Sequence, residues 1–217
     1  MRIIRTFILC LAFVPAVLMA QTARQCFTAM PDSMSMLLTA NDRADFIDFM
    51  DSNMKAEVSN RLGGKSQMTV LTDDYISINI SKQSTWQMKV LPLGNNRRLI
   101  CTVSTVCGDA CDSRISFYDT DWNELRTQDY LPDMPKISDF IRAIPDTASY
   151  TVKDARRQAD MLLMKASLSA DSNDLTFSFT TPEYMSPEAA AELKPYLKAD
   201  VVCRWTGKRF NKERNRD

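Results

Sequence analysis

The segment YISINISKQSTWQMKVLPLGNNRRLICTVSTV, residues 75–106, decides the fold class of this chain. It begins with isoleucines at every second position, Ile76, Ile78 and Ile80, and polar residues lie between them. A period of two predicts a β-strand with one buried face. Because the same period returns over residues 86–90, we expect several half-buried strands in succession.

Short turns separate these predicted strands. Gly94-Asn95-Asn96 precedes a strand predicted at 99–106, and Asp119–Asn123 follows another at Arg114–Tyr118. Strands that are joined by turns this short pair with each other in antiparallel fashion. The sequence therefore predicts an antiparallel meander.

Helical patterns lie on both sides of the meander. Before it, Asn41 is a good N-cap for a helix that we expect to end at Gly63-Gly64. After it, Pro135 opens a predicted helix that Pro145 closes. The apolar residues that recur three and four apart in these helices are Ile47, Met50, Met54 and Val58 in the first, and Ile137, Phe140, Ile141 and Ile144 in the second.

The last third of the chain again combines predicted strands with a predicted helix. Alternating residues predict strands at 162–168, 175–179 and 201–205, and Ser186 caps a predicted helix with Pro187 at its first position. Since strands and helices are segregated, without a βαβ alternation, we predict an α+β fold. It would be an antiparallel sheet meander with helices packed on one face; two similar lobes are the alternative.

The N-terminus has the pattern of a secretory signal peptide. Arg2 and Arg5 precede an apolar run that reaches Met19, and the small residue Ala20 follows it. The run is shorter than the roughly 20 residues that span a bilayer. We predict a signal peptide at 1–20, cleaved after Ala20, and no stable membrane insertion after cleavage; a permanent anchor is the alternative.

Domain boundaries and charge follow from the same pattern. We predict a single α+β domain at 21–207 and a charged C-terminal tail at 208–217. Without Arg2 and Arg5, 25 basic residues face 27 acidic ones, a net charge of −2. Since a nucleic-acid-binding protein needs a basic surface, we expect no nucleic-acid partner.

Cysteine and histidine usage restricts the chemistry. Of six cysteines, Cys10 lies in the signal peptide, and the odd number that remains leaves at least one thiol unpaired or paired between chains. Cys107 and Cys111 flank the turn sequence Gly108-Asp109-Ala110, so we predict a disulfide between them, whereas Cys101 and Cys203 suit buried free thiols. The chain has no histidine, which excludes Ser–His–Asp and Cys–His catalysis and imidazole-based metal sites.

The turn after Tyr118 carries a candidate contact site. Asp119, Asp121 and Asn123 imitate the start of a calcium loop, but Glu124 stands where an EF-hand requires glycine. We therefore interpret the segment as a polar hairpin turn and expect no cofactor or metal. Since Trp86 and Trp205 are in phase with core residues, Trp122 is the tryptophan predicted to be open, and a ligand or partner contact is predicted at Tyr118, Asp119, Asp121 and Trp122.

Several short motifs resemble an uncharacterised family of exported proteins from Bacteroidales, domain of unknown function 3256. They are Met30-Pro31-Asp32-Ser33, Leu37-Leu38-Thr39, Asn41, Arg43, Asp45, Asp51-Ser52-Asn53-Met54, Asn60, Gly63-Gly64, Leu71-Thr72-Asp73-Asp74-Tyr75, Cys107, Asp112-Ser113-Arg114 and Tyr118-Asp119-Thr120-Asp121-Trp122. The resemblance covers most of the mature chain. It implies a periplasmic, cell-envelope or secreted location in a Gram-negative anaerobe, and it implies no activity.

Three functional hypotheses follow. The first is an exported non-enzymatic protein that binds a macromolecule or envelope component, with an unknown protein or glycan as its partner. The second is a hydrolase that uses only carboxylates, which would need paired Asp or Glu residues with raised pKa values in a cleft. The third is a sugar- or ligand-binding module, which would need a tryptophan exposed beside polar groups.

Overall fold

The computed structural model describes residues 21–35 and 37–213, so the predicted signal peptide lies outside the described residues. The strands form two antiparallel sheets, a seven-stranded sheet in the order β1 to β7 and a four-stranded sheet in the order β11-β10-β9-β8. The strands of the large sheet are β1 (Glu57–Ser59), β2 (Lys65–Leu71), β3 (Tyr75–Asn79), β4 (Ser84–Leu93), β5 (Arg97–Cys107), β6 (Cys111–Tyr118) and β7 (Glu124–Leu125). Those of the small sheet are β8 (Met164–Leu168), β9 (Asp174–Phe179), β10 (Val201–Trp205) and β11 (Phe210–Lys212).

Short helices surround these sheets. They are α1 (Ala23–Ala29), α2 (Ala40–Asp51), α3 (Thr127–Tyr130), α4 (Ile137–Phe140), α5 (Tyr150–Gln158), α6 (Thr181–Tyr184) and α7 (Pro187–Leu193). Within residues 21–35 and 37–213, none of them is long and apolar enough to cross a membrane. The α+β class and the antiparallel meander are confirmed, although the strands of the last third form a sheet of their own.

Other elements pack on both faces of the large sheet. On its outer face, α1 and α2 bring Phe27 and Phe46 onto Ile76, Ile78 and other apolar residues of β2–β5. On its inner face lies the small sheet, where apolar residues of both sheets share one core. The molecule is therefore layered as helices, large sheet and small sheet.

A row of hydrogen bonds joins the two sheets at β8. Its backbone N–H groups at Met164, Ala166 and Leu168 point away from β9 and donate to side-chain oxygens of the large sheet. The distances are 3.4 Å to Asp112, 2.9 Å to Ser113 and 2.9 Å to Gln87. Side chains of one sheet thus replace the missing neighbouring strand of the other, as buried backbone donors require.

The predicted first helix is shorter than its apolar pattern suggests. Helix α2 begins after Thr39, whose hydroxyl accepts the N–H of Asp42, and it ends at Asp51. Val58 lies instead in β1, where it pairs with Ser66. The end is sharp because Asn53 takes a positive φ of 53°, which does not continue a right-handed helix.

Two further expectations are corrected. The helix predicted between Pro135 and Pro145 is the single turn α4, because Ile141 pairs with Leu197 as a β-bridge and the chain there is extended. The tail predicted at 208–217 is wrong over 210–212, which form β11 on the edge of the small sheet. Phe210 is completely buried, so burial of its ring holds this segment in place.

Candidate functional site

The turn that we predicted as a contact site stabilises itself. The carboxylate of Asp119 accepts the backbone N–H groups of Asp121 and Asn123, each at 2.9 Å, and the Asn123 side-chain amide at 2.8 Å. Burial by itself would raise the pKa of Asp119, but these hydrogen bonds outweigh it and lower the pKa. The acidic pattern of this segment is therefore that of a turn, with Asp121 exposed at its tip.

Trp122 is not the exposed tryptophan that the sequence predicted. It is buried with a positive φ of 65°, and its indole N–H donates to the carbonyl of Cys26 at 2.9 Å. Its ring packs on Tyr118, with 5.3 Å between the centroids. The turn 119–123 thus holds α1 against the sheet, and Trp122 offers no stacking surface to a ligand.

Trp205 also uses its polar group internally. Its indole N–H donates to the carbonyl of Pro92 at 2.7 Å, and its ring meets Phe210 edge-on at 5.1 Å. This tryptophan packs against the core between the sheets, as its phase predicts. Two of the three tryptophans therefore have both ring and N–H occupied.

Trp86 differs from both. It lies on β4, is half-buried, and packs against Phe27 with 5.7 Å between the ring centroids. Among the residues that the structure describes, its indole N–H has no acceptor. A half-buried tryptophan with a free N–H is typical of a place where a ring meets a partner on one side and water on the other.

The neighbours of Trp86 on the sheet form an uncovered area. Register places Ser104 of β5 opposite Trp86, and Arg114 of β6 opposite Ser104. Two residues further along these strands, on the same face, Ser84 lies opposite Val106. We call Ser84, Trp86, Ser104, Val106 and Arg114 the outer-face surface, since alternation puts all five on the outer face of the large sheet.

The two helices cover this area only in part. Most of their contacts with the sheet are with β1–β4, and Phe27 of α1 reaches Trp86 itself, so the open part of the area is Val106 and Arg114. Val106 is 63% exposed although it lies within a strand, and the Arg114 side chain is 79% exposed.

A disulfide lies beside the outer-face surface. Cys107 and Cys111 are bonded across the end of β5 and β6, with their Cα atoms 4.0 Å apart. Gly108 donates its N–H to the carbonyl of Ala110 at 2.9 Å and so closes the turn between them. The bond holds the strand ends that carry Val106 and Arg114.

The remaining described cysteines are buried free thiols. Burial raises the pKa of Cys26 and of Cys203 to about 11, and burial also raises the pKa of Cys101. A thiol with a raised pKa is protonated at neutral pH and is a poor nucleophile. These three side chains are core residues.

The carboxylates with perturbed pKa values are stabilised as anions. They are Asp51, Glu57, Asp119, Asp139 and Asp154, and the pKa of each is lowered by hydrogen bonds or neighbouring cations. A carboxylic acid that donates a proton near neutral pH needs the opposite shift. Across residues 21–35 and 37–213, no group of three or more Cys, Asp or Glu side chains is placed to hold a metal ion.

A small polar pocket lies between α1, the end of α2 and the turn before β3. Its volume is about 220 Å³, and its walls include Thr22, Met50 and Asp73. An ion pair between Arg24 and Asp51 crosses it. It is smaller than the 300–1,000 Å³ of typical ligand pockets, and both of its central charges are already paired.

Comparison with protein families gives a match over residues 16–210 to the family described as Protein of unknown function (DUF3256). The chain belongs to this family. A solved structure with the same fold is that of a domain of an uncharacterized protein from Porphyromonas gingivalis W83, with 28% identity and a TM-score of 0.76 over 88% of this chain and 96% of that one. No curated protein matches the chain.

The DUF3256 motifs that carried the resemblance have structural roles here. Arg43 is buried and reaches back from α2 to Asp32 at 3.0 Å and to the carbonyl of Met30. Asn60 accepts the backbone N–H of Gly64 at 3.1 Å and so shapes the turn between β1 and β2. These residues explain how the family fold is held, whereas Arg114, from the motif Asp112-Ser113-Arg114, belongs to the outer-face surface.

Proposed function

We propose that this DUF3256 protein is an exported, non-catalytic binding protein that contacts a cell-envelope component through the outer-face surface. The observation that carries the proposal is Trp86, a half-buried tryptophan whose indole N–H has no acceptor among the described residues, on the same sheet face as the exposed Val106 and Arg114. Tryptophan and arginine are the residues that most often dominate binding energy at interfaces. On this chain they lie on one face of the large sheet, on β4 and β6, the two strands that flank β5.

The rigidity of the sheet supports a role in binding. The area lies on β4, β5 and β6, which pair over long stretches, and the Cys107–Cys111 disulfide closes the end of β5 and β6. A surface that is already fixed loses little conformational entropy when a partner binds. Binding to these strands therefore costs less conformational entropy than binding to a flexible loop would.

The compartment is part of the proposal. A signal-peptide pattern at 1–20 and a disulfide both suit an oxidising environment outside the cytoplasm. The same environment keeps Cys107 and Cys111 oxidised, which maintains the strand ends. Periplasm, cell envelope and extracellular space all meet this requirement.

The carboxylate hydrolase receives less support. Each perturbed carboxylate has a lowered pKa because cations or N–H groups hold it, and the polar pocket has its Arg24 and Asp51 charges paired with each other. A catalytic pair would show one raised and one lowered pKa. Binding through the sheet face needs neither a raised nor a lowered carboxylate pKa.

The test is capture of envelope components by purified mature protein and by two matched variants. Val106→Arg places a long cation in the outer-face surface, whereas Leu62→Arg makes the same change at an exposed turn residue elsewhere. We expect the wild type and Leu62→Arg to retain the same envelope component and Val106→Arg to lose it. Equal capture by both variants, with unchanged circular dichroism, would show that the surface is not the contact site.

A further inference from the structure

We propose that the Cys107–Cys111 disulfide is a redox-sensitive lock on the junction between the two sheets. When an external dithiol reduces this bond, strand β8 of the small sheet loosens from the large sheet. The lock requires no partner on the outer-face surface, so it stands apart from the proposed function.

The residues that hold the small sheet begin at the disulfide itself. The carbonyl of Cys111 accepts the hydroxyl of Thr180 at 2.5 Å. The next two side chains, Asp112 and Ser113, accept backbone N–H groups of β8 at 3.4 and 2.9 Å. The end of β6 that the disulfide fixes is therefore also the place where the edge of the small sheet is attached. If this end moves, the buried donors of β8 lose their acceptors.

The contact at Thr180 extends to the segment just before β8. Thr180 is buried, and its N–H donates to the carbonyl of Leu163 at 3.0 Å. The hydroxyl of Thr181, which is also buried, accepts the Leu163 N–H at 3.0 Å and donates to the carbonyl of Met161 at 2.6 Å. These two threonines therefore connect residues 161–163 to the carbonyl of Cys111.

Strand pairing alone holds this end of β6 weakly. Among the described strands, β7 lies beyond β6, and it pairs with Phe117 and Tyr118 alone. Residues 111–116 of β6 therefore have a strand partner on one side only, which is β5. A strand end with one partner opens more readily than the centre of a sheet does. The disulfide prevents this opening, because it joins the end of β6 to β5 covalently.

The disulfide is also within reach of a reductant. Cys107 and Cys111 are both half-buried, and accessible disulfides are the ones that exchange most readily. A thiolate of the dithiol attacks one sulfur, forms a mixed disulfide and releases the other sulfur as a thiolate. The second thiol of the dithiol then displaces the first cysteine. The protein gains a pair of electrons and a pair of protons, and the dithiol becomes a disulfide.

Amide hydrogen exchange tests the lock, since NMR reads it residue by residue in mature protein with and without dithiothreitol. The amides of Met164 and Ala166 donate to residues beside the disulfide, whereas the Leu168 amide donates to Gln87 of β4. Leu168 is therefore a control within the same strand. On reduction, we expect exchange at Met164 and Ala166 to become about tenfold faster or more, and exchange at Leu168 to change less than about twofold.

Dithiothreitol changes this bond alone among the described cysteines, because Cys26, Cys101 and Cys203 are already thiols. The variant with both Cys107→Ser and Cys111→Ser should exchange rapidly at Met164 and Ala166 without dithiothreitol and should not respond to it.

Ser113→Ala tests the route from the disulfide to β8. This variant removes the acceptor of the Ala166 amide, so exchange there should be fast in both redox states. Met164 should keep its response to reduction, since its acceptor is Asp112.

The comparison of oxidised with reduced wild type decides the proposal even if a variant fails to fold. Alkylation and mass spectrometry show whether the bond has been reduced. A bond that stays intact in dithiothreitol is not redox-sensitive, and that result overturns the proposal. A reduced bond with unchanged exchange at Met164 and Ala166 overturns it as well. Equal acceleration at Leu168 would show that the sheets open as a whole, which contradicts a local lock.

Discussion

Lys89 of the large sheet donates from Nζ to the carbonyl of Ala170 in the small sheet, at 3.2 Å. The same ammonium lies 3.1 Å from Asp74 and 5.7 Å from the centroid of the Tyr75 ring. Only 2% of the Lys89 side chain is exposed, so three different partners compensate the loss of its hydration. A single cation thus links β3, β4 and the loop that joins β8 to β9.

Replacement of this lysine tests the link between the sheets. We expect Lys89→Ala to lower the free energy of unfolding by about 3 kcal/mol, at the low end for a buried pair, because water can reach the Asp74 left behind. Lys89→Met retains most of the side-chain packing, so it should lower the free energy of unfolding by less than Lys89→Ala does. Urea denaturation measures both.

Lys65→Ala is the control, since Lys65 pairs with Glu57 at the exposed surface. Exposed pairs contribute at most about 1 kcal/mol. Equal losses for Lys89→Ala and Lys65→Ala would contradict a special role for the buried cation.

The disulfide is a second test. In the variant with both Cys107→Ser and Cys111→Ser, the free energy of unfolding should fall by about 2 kcal/mol, the contribution expected from closing a loop of five residues. Reductant should destabilise the wild type to a similar extent and leave the variant unchanged. Mass spectrometry without reductant should show Cys107 linked to Cys111; alkylation of both cysteines under those conditions would refute the bond.

Low pH should loosen the turn that holds α1. Because the folded-state pKa of Asp119 is lowered, its contribution to stability is complete above the unfolded value of roughly 4 and is lost as pH falls through the folded pKa. Unfolding at pH 5 and pH 3 should therefore differ less in Asp119→Asn than in the wild type. Asp121→Asn is the control, since the Asp121 side chain accepts no hydrogen bond from any described residue; equal pH dependence in both variants would remove Asp119 from the explanation.

The C-terminal strand is predicted to be essential for stability. Phe210→Ala leaves a cavity where a fully buried ring was, so it should lower the free energy of unfolding by about 4 kcal/mol. Lys208→Ala, two residues earlier and exposed, should have almost no effect. If thermal unfolding gave the same midpoint for both variants, the segment would be a tail after all.

Processing of the N-terminus is predicted from sequence and is checked on native protein. We expect the mature chain to begin at Gln21, so intact mass should match residues 21–217. Ala20→Arg removes the small residue before the cleavage site and should leave the precursor uncut. Native protein that begins at Met1 and remains with membranes would overturn the exported location.

The strands were predictable because each carries its own signal. Alternation in residues 75–106 reflects one covered face, and the turn sequence between Cys107 and Cys111 is compatible with the disulfide that the structure contains. The limits of α2 were not predictable, since Val58 continues a helical period and yet pairs with Ser66. Pairing with a strand seven or more residues away cannot be predicted from the local periodicity of apolar residues.

The tryptophans show why exposure could not be predicted from the sequence. Trp122 follows an acidic turn and resembled a surface residue, but its N–H reaches a carbonyl of Cys26, 96 positions earlier in the chain. Trp86 is in phase with core residues and packs on Phe27 of α1, but Val106 of β5 and Arg114 of β6 on the same face stay exposed. Which part of a sheet face is covered depends on helix placement, which periodicity does not record.

Strand β8 is at the edge of the small sheet, where an unpaired backbone commonly recruits a second chain. Here Asp112, Ser113 and Gln87 occupy the donors of that edge from within the same molecule. Self-association through β8 would first require the two sheets to part. Resistance to fibril formation in this protein therefore depends on how tightly its own layers hold together.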